Sequence, residues 1–128
     1  MRRVIFYSWQ SDLPNPTNRG FIQDALENVA TAIASDNTVA VEPVVDRDTQ
    51  GVAGAPDIAS TIFAKITAAD VFVADISIIS HPKDGRATPN PNVLIELGAE
   101  AFTNAKRSCV GRMTHEPYKG KSTAQQAV

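Results

Sequence analysis

The sequence predicts an α/β fold with a parallel sheet and helices on both of its faces. Short runs of consecutive apolar residues alternate along the chain with segments whose apolar residues recur at helical spacing. Strands that alternate with helices in this way are typical of βαβ units, which have right-handed crossovers and a parallel sheet. The order strand, helix, strand, helix, strand, helix therefore favours a doubly wound, flavodoxin-like arrangement.

Three apolar runs provide the predicted strands. They lie at residues 4–7, 39–45 and 71–74. Continuous rather than alternating hydrophobicity is typical of strands buried on both faces of a parallel sheet. Pro43 lies within the second run, and because proline cannot donate a backbone hydrogen bond, we predict that this strand is at the edge of the sheet.

Apolar residues at helical spacing predict three helices. Their stripes are Ile22, Leu26, Val29 and Ile33 in the first, Ile58, Ile62 and Ile66 in the second, and Val93, Leu97 and Ala101 in the third. We expect Thr17 or Asn18 to cap the first helix and Asn90 to cap the third, with Pro91 at its first position. Residues 47–55 contain two glycines and are predicted to be a long loop, as is the polar segment 77–88.

The chain is long enough for one domain. With 128 residues it can form one core and not two. The α/β pattern covers residues 1–105, whereas residues 106–128 are polar and contain Gly111, Pro117 and Gly120. We predict that this second part is a weakly structured tail with one short element near Cys109 and Val110. The sheet is thus expected to lack its last strands.

Composition narrows the class of function. Hydrophobic residues make up 43% and charged residues 20% of the chain, and the net charge is −2. This balance argues against a nucleic-acid binder, which normally has a basic face. Cys109 is the sole cysteine, so no internal disulfide can form. No secretory signal is evident and the apolar runs are too short to cross a membrane, so we expect a cytoplasmic protein.

The topology predicts where a ligand binds. In open parallel sheets the ligand lies outside the carboxyl ends of the strands. Polar side chains that follow the strands, and those near the start of the third helix, are the candidates. They are Ser8, Trp9, Ser11, Asp46, Arg47, Ser77, Asn92 and Glu96. His81 and His115 have no partner at metal-ligand spacing, so no metal site is expected.

Several of these residues have a plain structural interpretation as well. Asn92, Glu96 and Glu100 are four apart and share one helix face, and spacing alone favours a solvated polar face. Two carboxylates at this spacing repel modestly, which hints that Glu96 does not serve helix stability. Trp9 either stacks on a nicotinamide or adenine ring or packs over the sheet edge. Arg47 either meets a phosphate or belongs to a solvated charge cluster.

Four segments in order along the chain resemble Toll/interleukin-1 receptor (TIR)-type domains. Residues 4–12 resemble their first strand and its turn, and Arg19 also fits. Residues 71–77 resemble their third strand, and residues 92–97 resemble their third helix, in which a glutamate precedes leucine. Residues 89–98, 46–51 and 56–58 look like the TIR-like nucleotide-binding proteins of bacterial anti-phage defence. Nucleoside 2-deoxyribosyltransferases are a more distant resemblance, based on a helix-borne glutamate and N-glycosidic chemistry.

The resemblance implies an NAD glycohydrolase or ADP-ribosyl cyclase in which Glu96 is the catalytic residue, with nicotinamide and either ADP-ribose or a cyclised form of it as products. NAD would be the substrate, and no separate cofactor is expected. Trp9 would stack, Arg47 would meet phosphate, and Ser8, Ser77 and Asn92 would hydrogen-bond the ribose. The family resemblance also implies a homo-oligomer and a partner protein in a defence system. The alternative is a non-catalytic module that assembles through the loop at 47–55 or senses a nucleotide.

Overall fold

The structure, a computed structural model, describes residues 1–48, 57–103 and 107–111. A short 3-10 turn at Asn15–Thr17 precedes the first helix. The strands and helices are β1 (Arg2–Ser8), α1 (Arg19–Ala34), β2 (Glu42–Asp46), α2 (Ile58–Ala68), β3 (Val71–Asp75), β4 (Ile78–Ser80), β5 (Thr88–Pro89), α3 (Pro91–Thr103) and β6 (Arg107–Gly111).

Four of these strands form one parallel sheet in the order β2-β1-β3-β6. This order, with α-helices in the crossovers, is a flavodoxin-like arrangement and confirms the predicted fold class. β2 is an outer strand and contains Pro43, as predicted. It begins three residues later than the sequence run suggests, because a turn at Asp36 holds the chain there: the Val39 amide donates to the Asp36 carbonyl at 3.1 Å.

The two helices α2 and α3 cover one face of the sheet and enclose the main core. Phe6 of β1 and Phe72 of β3 stack with ring centroids 6.1 Å apart. Ile66 of α2 and Val93 of α3 pack against them. Each of these four side chains is almost completely buried, so the alternate residues of β1 and β3 that point to this face anchor the fold.

Helix α1 lies on the opposite face, where its Ile33 and the strand residues Ile5 and Val71 line a common cavity. The predicted stripe of α1 is wrong at one position, because Val29 is 55% exposed and Ala30 is buried in its place. Ala30 is four residues after Leu26 and three before Ile33, so it continues the inner face, whereas Val29 is turned away. The predicted inner residue Ile58 of α2 is likewise exposed.

The predicted cap of α3 is confirmed. The side-chain oxygen of Asn90 accepts hydrogen bonds from the amides of Asn92 and Val93 at 2.8 and 3.4 Å. Asn18 precedes α1 but makes no capping hydrogen bond. Its side chain donates instead to the carbonyl oxygen of Pro14 at 3.0 Å.

The chain after α3 returns to the sheet. β6 pairs in parallel with β3, and the amide of Ile76 donates to the Gly111 carbonyl at 2.8 Å. The α/β domain therefore extends at least to Gly111 rather than ending at residue 105, and the short element predicted near Cys109 and Val110 is this strand. The rest of the predicted tail, 112–128, lies outside the described residues. The predicted loop at 77–88 contains the antiparallel pair β4 and β5.

Candidate functional site

A cavity of about 200 Å³ opens at the carboxyl end of the sheet, where the topology predicts a ligand site. It is bordered by the chain after β1, the chain after β2 and the start of α3. Its lining residues are Tyr7, Trp9, Gln10, Ser11, Asp48, Asn90, Asn92 and Glu96. Trp9, Ser11, Asn92 and Glu96 were predicted from the sequence, and the structure brings these four together.

Glu96 is the half-buried carboxylate of this cavity. The hydroxyl of Ser8 donates a hydrogen bond of 2.5 Å to Glu96 Oε2, and Ser8 itself is buried at the end of β1. Burial raises the pKa of Glu96, the hydrogen bond from Ser8 opposes that rise, and the nearby Asp48 carboxylate adds to it. Glu96 is thus held in one orientation by the sheet and is easier to protonate than an exposed glutamate.

A buried hydrogen-bond network supports the turn after β1. Gln10 Nε2 donates to Asp75 Oδ2 at 3.0 Å, while Gln10 Oε1 accepts from the amides of Asp12 and Leu13 at 2.8 and 3.0 Å. Ser77 donates its hydroxyl to Asp75 Oδ1 at 2.5 Å. Ser77 was predicted to bind ligand, but it is buried in this network and is not among the residues that line the cavity.

Asn90 connects the same turn to α3. Its Nδ2 donates to Asp12 Oδ2 at 2.7 Å, while its Oδ1 caps the helix. The position of Glu96, in the second turn of that helix, therefore depends on a side chain that the sequence analysis treated only as a cap.

Asp46 has a structural partner rather than a place in the cavity wall. Its Oδ1 accepts from Lys65 Nζ of α2 at 2.9 Å and from the amide of Arg47 at 2.8 Å. This ion pair is mostly shielded from solvent on both sides. The ion pair connects the end of β2 to α2. The hydrogen bond from the Arg47 amide fixes the position of the Arg47 backbone.

Trp9 lies against two arginines. The guanidinium carbon of Arg19, the first residue of α1, is 4.8 Å from the indole centroid, and that of Arg47 is 5.6 Å from it. Both distances are within the range of a cation–π contact. The ring of Trp9 thus supports two cations, and its stacking on a nicotinamide or adenine ring stays a prediction.

Tyr7 lines the cavity and carries a buried hydroxyl. Tyr7 is fully buried, and its hydroxyl has no hydrogen-bond partner within the part of the chain that the structure describes. Burial is the main cause that raises the pKa of Tyr7, the charge of Asp75 adds to it, and Arg19 and Arg47 oppose it. The phenol is therefore a neutral donor with both arginines nearby.

A second cavity, of about 310 Å³, lies on the other side of Glu96 between α2 and α3. Asn92 and Glu96 line both cavities. The remaining lining residues of the second one are apolar: Ile58, Ala59, Ile62, Phe63 and Ile95. Glu96 consequently stands on the border between a polar and an apolar compartment.

Three features of the site escaped the sequence analysis. Tyr7 belongs to a strand predicted as core, and nothing in the residue pattern shows that it lines a cavity. Asp48 adopts a left-handed backbone conformation with φ of 39°, which side-chain spacing does not reveal. Glu100 was grouped with Asn92 and Glu96 on a polar face, but it is buried and has no hydrogen-bond partner among the described residues.

Within residues 1–48, 57–103 and 107–111, no three His, Cys, Asp or Glu side chains are grouped as a metal site would need. No helix in those ranges is long and apolar enough to cross a membrane. Residues 49–55 of the predicted assembly loop lie outside the described part of the chain. Comparison of the sequence with protein families and with curated proteins finds no match.

Proposed function

We propose that this protein cleaves the bond between nicotinamide and ribose in NAD, with Glu96 as the catalytic residue. One observation carries the proposal: a half-buried carboxylate, oriented by Ser8, stands between a polar and an apolar cavity at the ligand-binding edge of the sheet. The resemblance of residues 4–12, 71–77 and 92–97 to TIR-type domains supports the same chemistry. A role in anti-phage defence rests on that resemblance alone.

Cleavage of this bond requires few catalytic groups from the protein. When the bond between C1′ of the ribose and the ring nitrogen breaks, the electron pair goes to the nitrogen and the cationic ring leaves as neutral nicotinamide. Positive charge develops on the ribose, as in the oxocarbenium-like transition state of glycoside hydrolysis. Water then adds to C1′ and loses a proton, which gives ADP-ribose. A leaving group that is neutral on departure needs no general acid, so one carboxylate suffices.

Glu96 has the properties that this role needs. A carboxylate held in place by Ser8 stabilises positive charge on the ribose without having to reorganise. Partial burial strengthens that interaction, because the surroundings screen charge less than water does. The apolar cavity beside it suits the uncharged nicotinamide that leaves, and Ser11 and Asn92 are polar groups for the ribose.

The test is replacement of Glu96 by glutamine, which keeps the shape and removes the charge. We expect NAD consumption by Glu96→Gln to fall roughly a hundredfold or more, the range found when one preorganised electrostatic group is removed. Glu42→Gln is the matched control, because Glu42 is exposed at the opposite end of the sheet. Products are separated by chromatography. Equal NAD turnover by Glu96→Gln and the unmodified protein would rule out Glu96 as the catalyst.

A second candidate is a non-catalytic assembly module. Exposed apolar side chains on α2 and α3 favour it: Ile58 is 63% and Ile95 58% exposed. Such a module self-associates without nucleotide and forms no product from NAD. Light scattering without nucleotide, combined with chromatography after incubation with NAD, distinguishes the two candidates. An assembly module self-associates and releases no nicotinamide, whereas an NAD-cleaving protein forms product whatever its mass.

A further inference from the structure

We infer that Arg19, Arg47 and the Tyr7 hydroxyl form a binding site for the diphosphate of a dinucleotide, with Trp9 as the residue that positions the two arginines. The inference deepens the proposed function, because it names the part of the substrate that this end of the cavity recognises. It also separates dinucleotides from nucleosides as substrates.

Arg19 and Arg47 place two guanidinium groups beside one indole ring. Both lie within 5.6 Å of one indole centroid, so two positive charges share a single support. Arg19 donates its Nε to Asn15 Oδ1 at 3.2 Å, which leaves its terminal nitrogens available. Neither arginine forms an ion pair with a carboxylate in the described parts of the chain. Two neighbouring cations without such a counter-charge favour an anion between or beside them.

The buried hydroxyl of Tyr7 has no hydrogen-bond partner among the described residues. A buried hydroxyl without a partner costs free energy, and native structures rarely leave such a group unpaired. Tyr7 lines the cavity that Trp9 also borders, and both arginines lie over the Trp9 ring. The Tyr7 hydroxyl remains protonated near neutral pH and can donate to an anionic oxygen. Three donors from β1, α1 and the end of β2 therefore surround one place.

Negative and positive side chains lie at different parts of the cavity. Asp48 and Glu96 are the carboxylates that line it, and the arginines lie at its Trp9 side. A cationic ring bound towards Glu96 and a diphosphate bound towards Trp9 match this polarity, whereas the reverse orientation would set like charges against each other. The site thus fits an NAD-like dinucleotide in one direction.

Trp9 acts through the arginines. Cation–π contacts hold each flexible side chain near one position, so less conformational entropy is lost when the anion binds. A Trp9→Ala variant should therefore bind the diphosphate more weakly although no donor has been removed. Trp9→Phe retains a ring and should restore most of the affinity, which a change in packing alone would not do.

The experiment measures equilibrium binding by calorimetry in the Glu96→Gln background, so that turnover does not interfere. The probes are ADP-ribose, inorganic pyrophosphate and nicotinamide riboside, which has the ribose and ring but no phosphate. The variants are Arg19→Gln with Arg47→Gln, and Arg2→Gln as the control, since Arg2 is exposed at the opposite end of β1. Thermal unfolding verifies that each variant is folded.

We expect the double variant to lose about a hundredfold in affinity for ADP-ribose, roughly tenfold for each charge-assisted contact. Nicotinamide riboside should bind equally well to the double variant and its parent, and Arg2→Gln should change neither ligand. Pyrophosphate binding to the parent shows whether the diphosphate alone is recognised or only within a dinucleotide.

The result that overturns the site is undiminished ADP-ribose binding by the double variant, an equal loss of both ligands, or a parent that binds neither ADP-ribose nor pyrophosphate. If the double variant fails to fold, the salt dependence of ADP-ribose binding to the parent decides: affinity that does not weaken with salt excludes the two arginines. These outcomes are independent of NAD cleavage, so a failure of the proposed function is recognised separately.

Discussion

Ser8 and Asp48, two neighbours of Glu96, shift the pKa of this residue in opposite directions. Ser8 donates to the carboxylate and favours its charged form, whereas the negative charge of Asp48 disfavours it. Burial, the largest effect, also disfavours the charge. The protonation of Glu96 is therefore a balance that single substitutions can shift either way, and it should be visible in the pH dependence of NAD cleavage.

We expect activity to need the charged form, so it is present above the pKa of Glu96 and is lost as pH falls through it. Because that pKa is raised, the loss should occur at higher pH than for an ordinary glutamate. Ser8→Ala removes a hydrogen bond that lowers the pKa and should move the acid limb of kcat/KM to higher pH. Asp48→Asn removes a charge that raises it and should move the limb to lower pH.

The measurement is the midpoint of the acid limb rather than the rate itself, since both residues are close enough to the ligand to alter turnover for other reasons. Opposite displacements by the two variants are the expected outcome. A midpoint that is the same in all three proteins would mean that a different group controls the acid limb.

The location of helix α3 was predicted from the sequence, but the side chains that it turns towards the sheet were predicted only in part. The cap at Asn90 and the proline after it are local signals, so the start of the helix could be predicted from the sequence. The face that α3 turns to the sheet is decided by packing against β1, β3 and α2. Val93 lies on that face as expected, but so does Glu100, which helical spacing assigned to the polar side.

Similar reasoning explains the other differences between elements. β6 contains two apolar residues, so the sequence predicts only a short element there, and its place in the sheet depends on pairing with β3. Ala30 rather than Val29 is buried on α1, because packing of the helix decides which of two neighbouring apolar residues faces inward. Tertiary contacts determine both the place of β6 and the buried face of α1, and a local sequence pattern does not contain such contacts.

The burial of Glu100 predicts a stabilising substitution. A buried carboxylate without a hydrogen-bond partner loses hydration and gains nothing in return. We expect Glu100→Leu to raise the free energy of unfolding by about 1–3 kcal/mol, measured by urea denaturation. Glu27→Leu is the control, since Glu27 is exposed on α1 and a surface change there should be worth about 0.5 kcal/mol or less. A destabilised Glu100→Leu protein would show that this carboxylate has a partner in solution.

At the scale of the whole molecule, the strand ends could be predicted as the ligand site, because topology alone selects them. The sequence could not show which of those residues face the cavity. Ser77 and Asp46 are at strand ends, yet they support the backbone instead of lining the site. Arg19 comes from a helix start ten residues after Trp9, and the three-dimensional packing brings it to that ring.

The stability of the molecule should depend strongly on the face covered by α2 and α3. Phe6 is almost fully buried and stacks on Phe72, so Phe6→Ala leaves a cavity at the centre of the sheet. We expect a loss of about 3–5 kcal/mol, which is a large part of the roughly 5–15 kcal/mol of a typical domain. Phe102→Ala is the matched control, since Phe102 is 94% exposed and its loss should be nearly neutral.

Urea denaturation measures both variants. If Phe6→Ala and Phe102→Ala unfold at the same urea concentration, the aromatic pair of β1 and β3 is not at the centre of the cooperative unit.

The order of the sheet also has a consequence for synthesis on the ribosome. β1 is made first but hydrogen-bonds to β2 and β3, where Arg2 pairs with Glu42 and Phe6 with Phe72. At about 5–20 residues per second, β1 waits for its second neighbour for on the order of several seconds, with the later buried side chains of Phe6 and Tyr7 not yet covered. During that time it is a target for chaperones and for aggregation. A translation pause placed between the codons of β1 and β3 should therefore lower the yield of native protein.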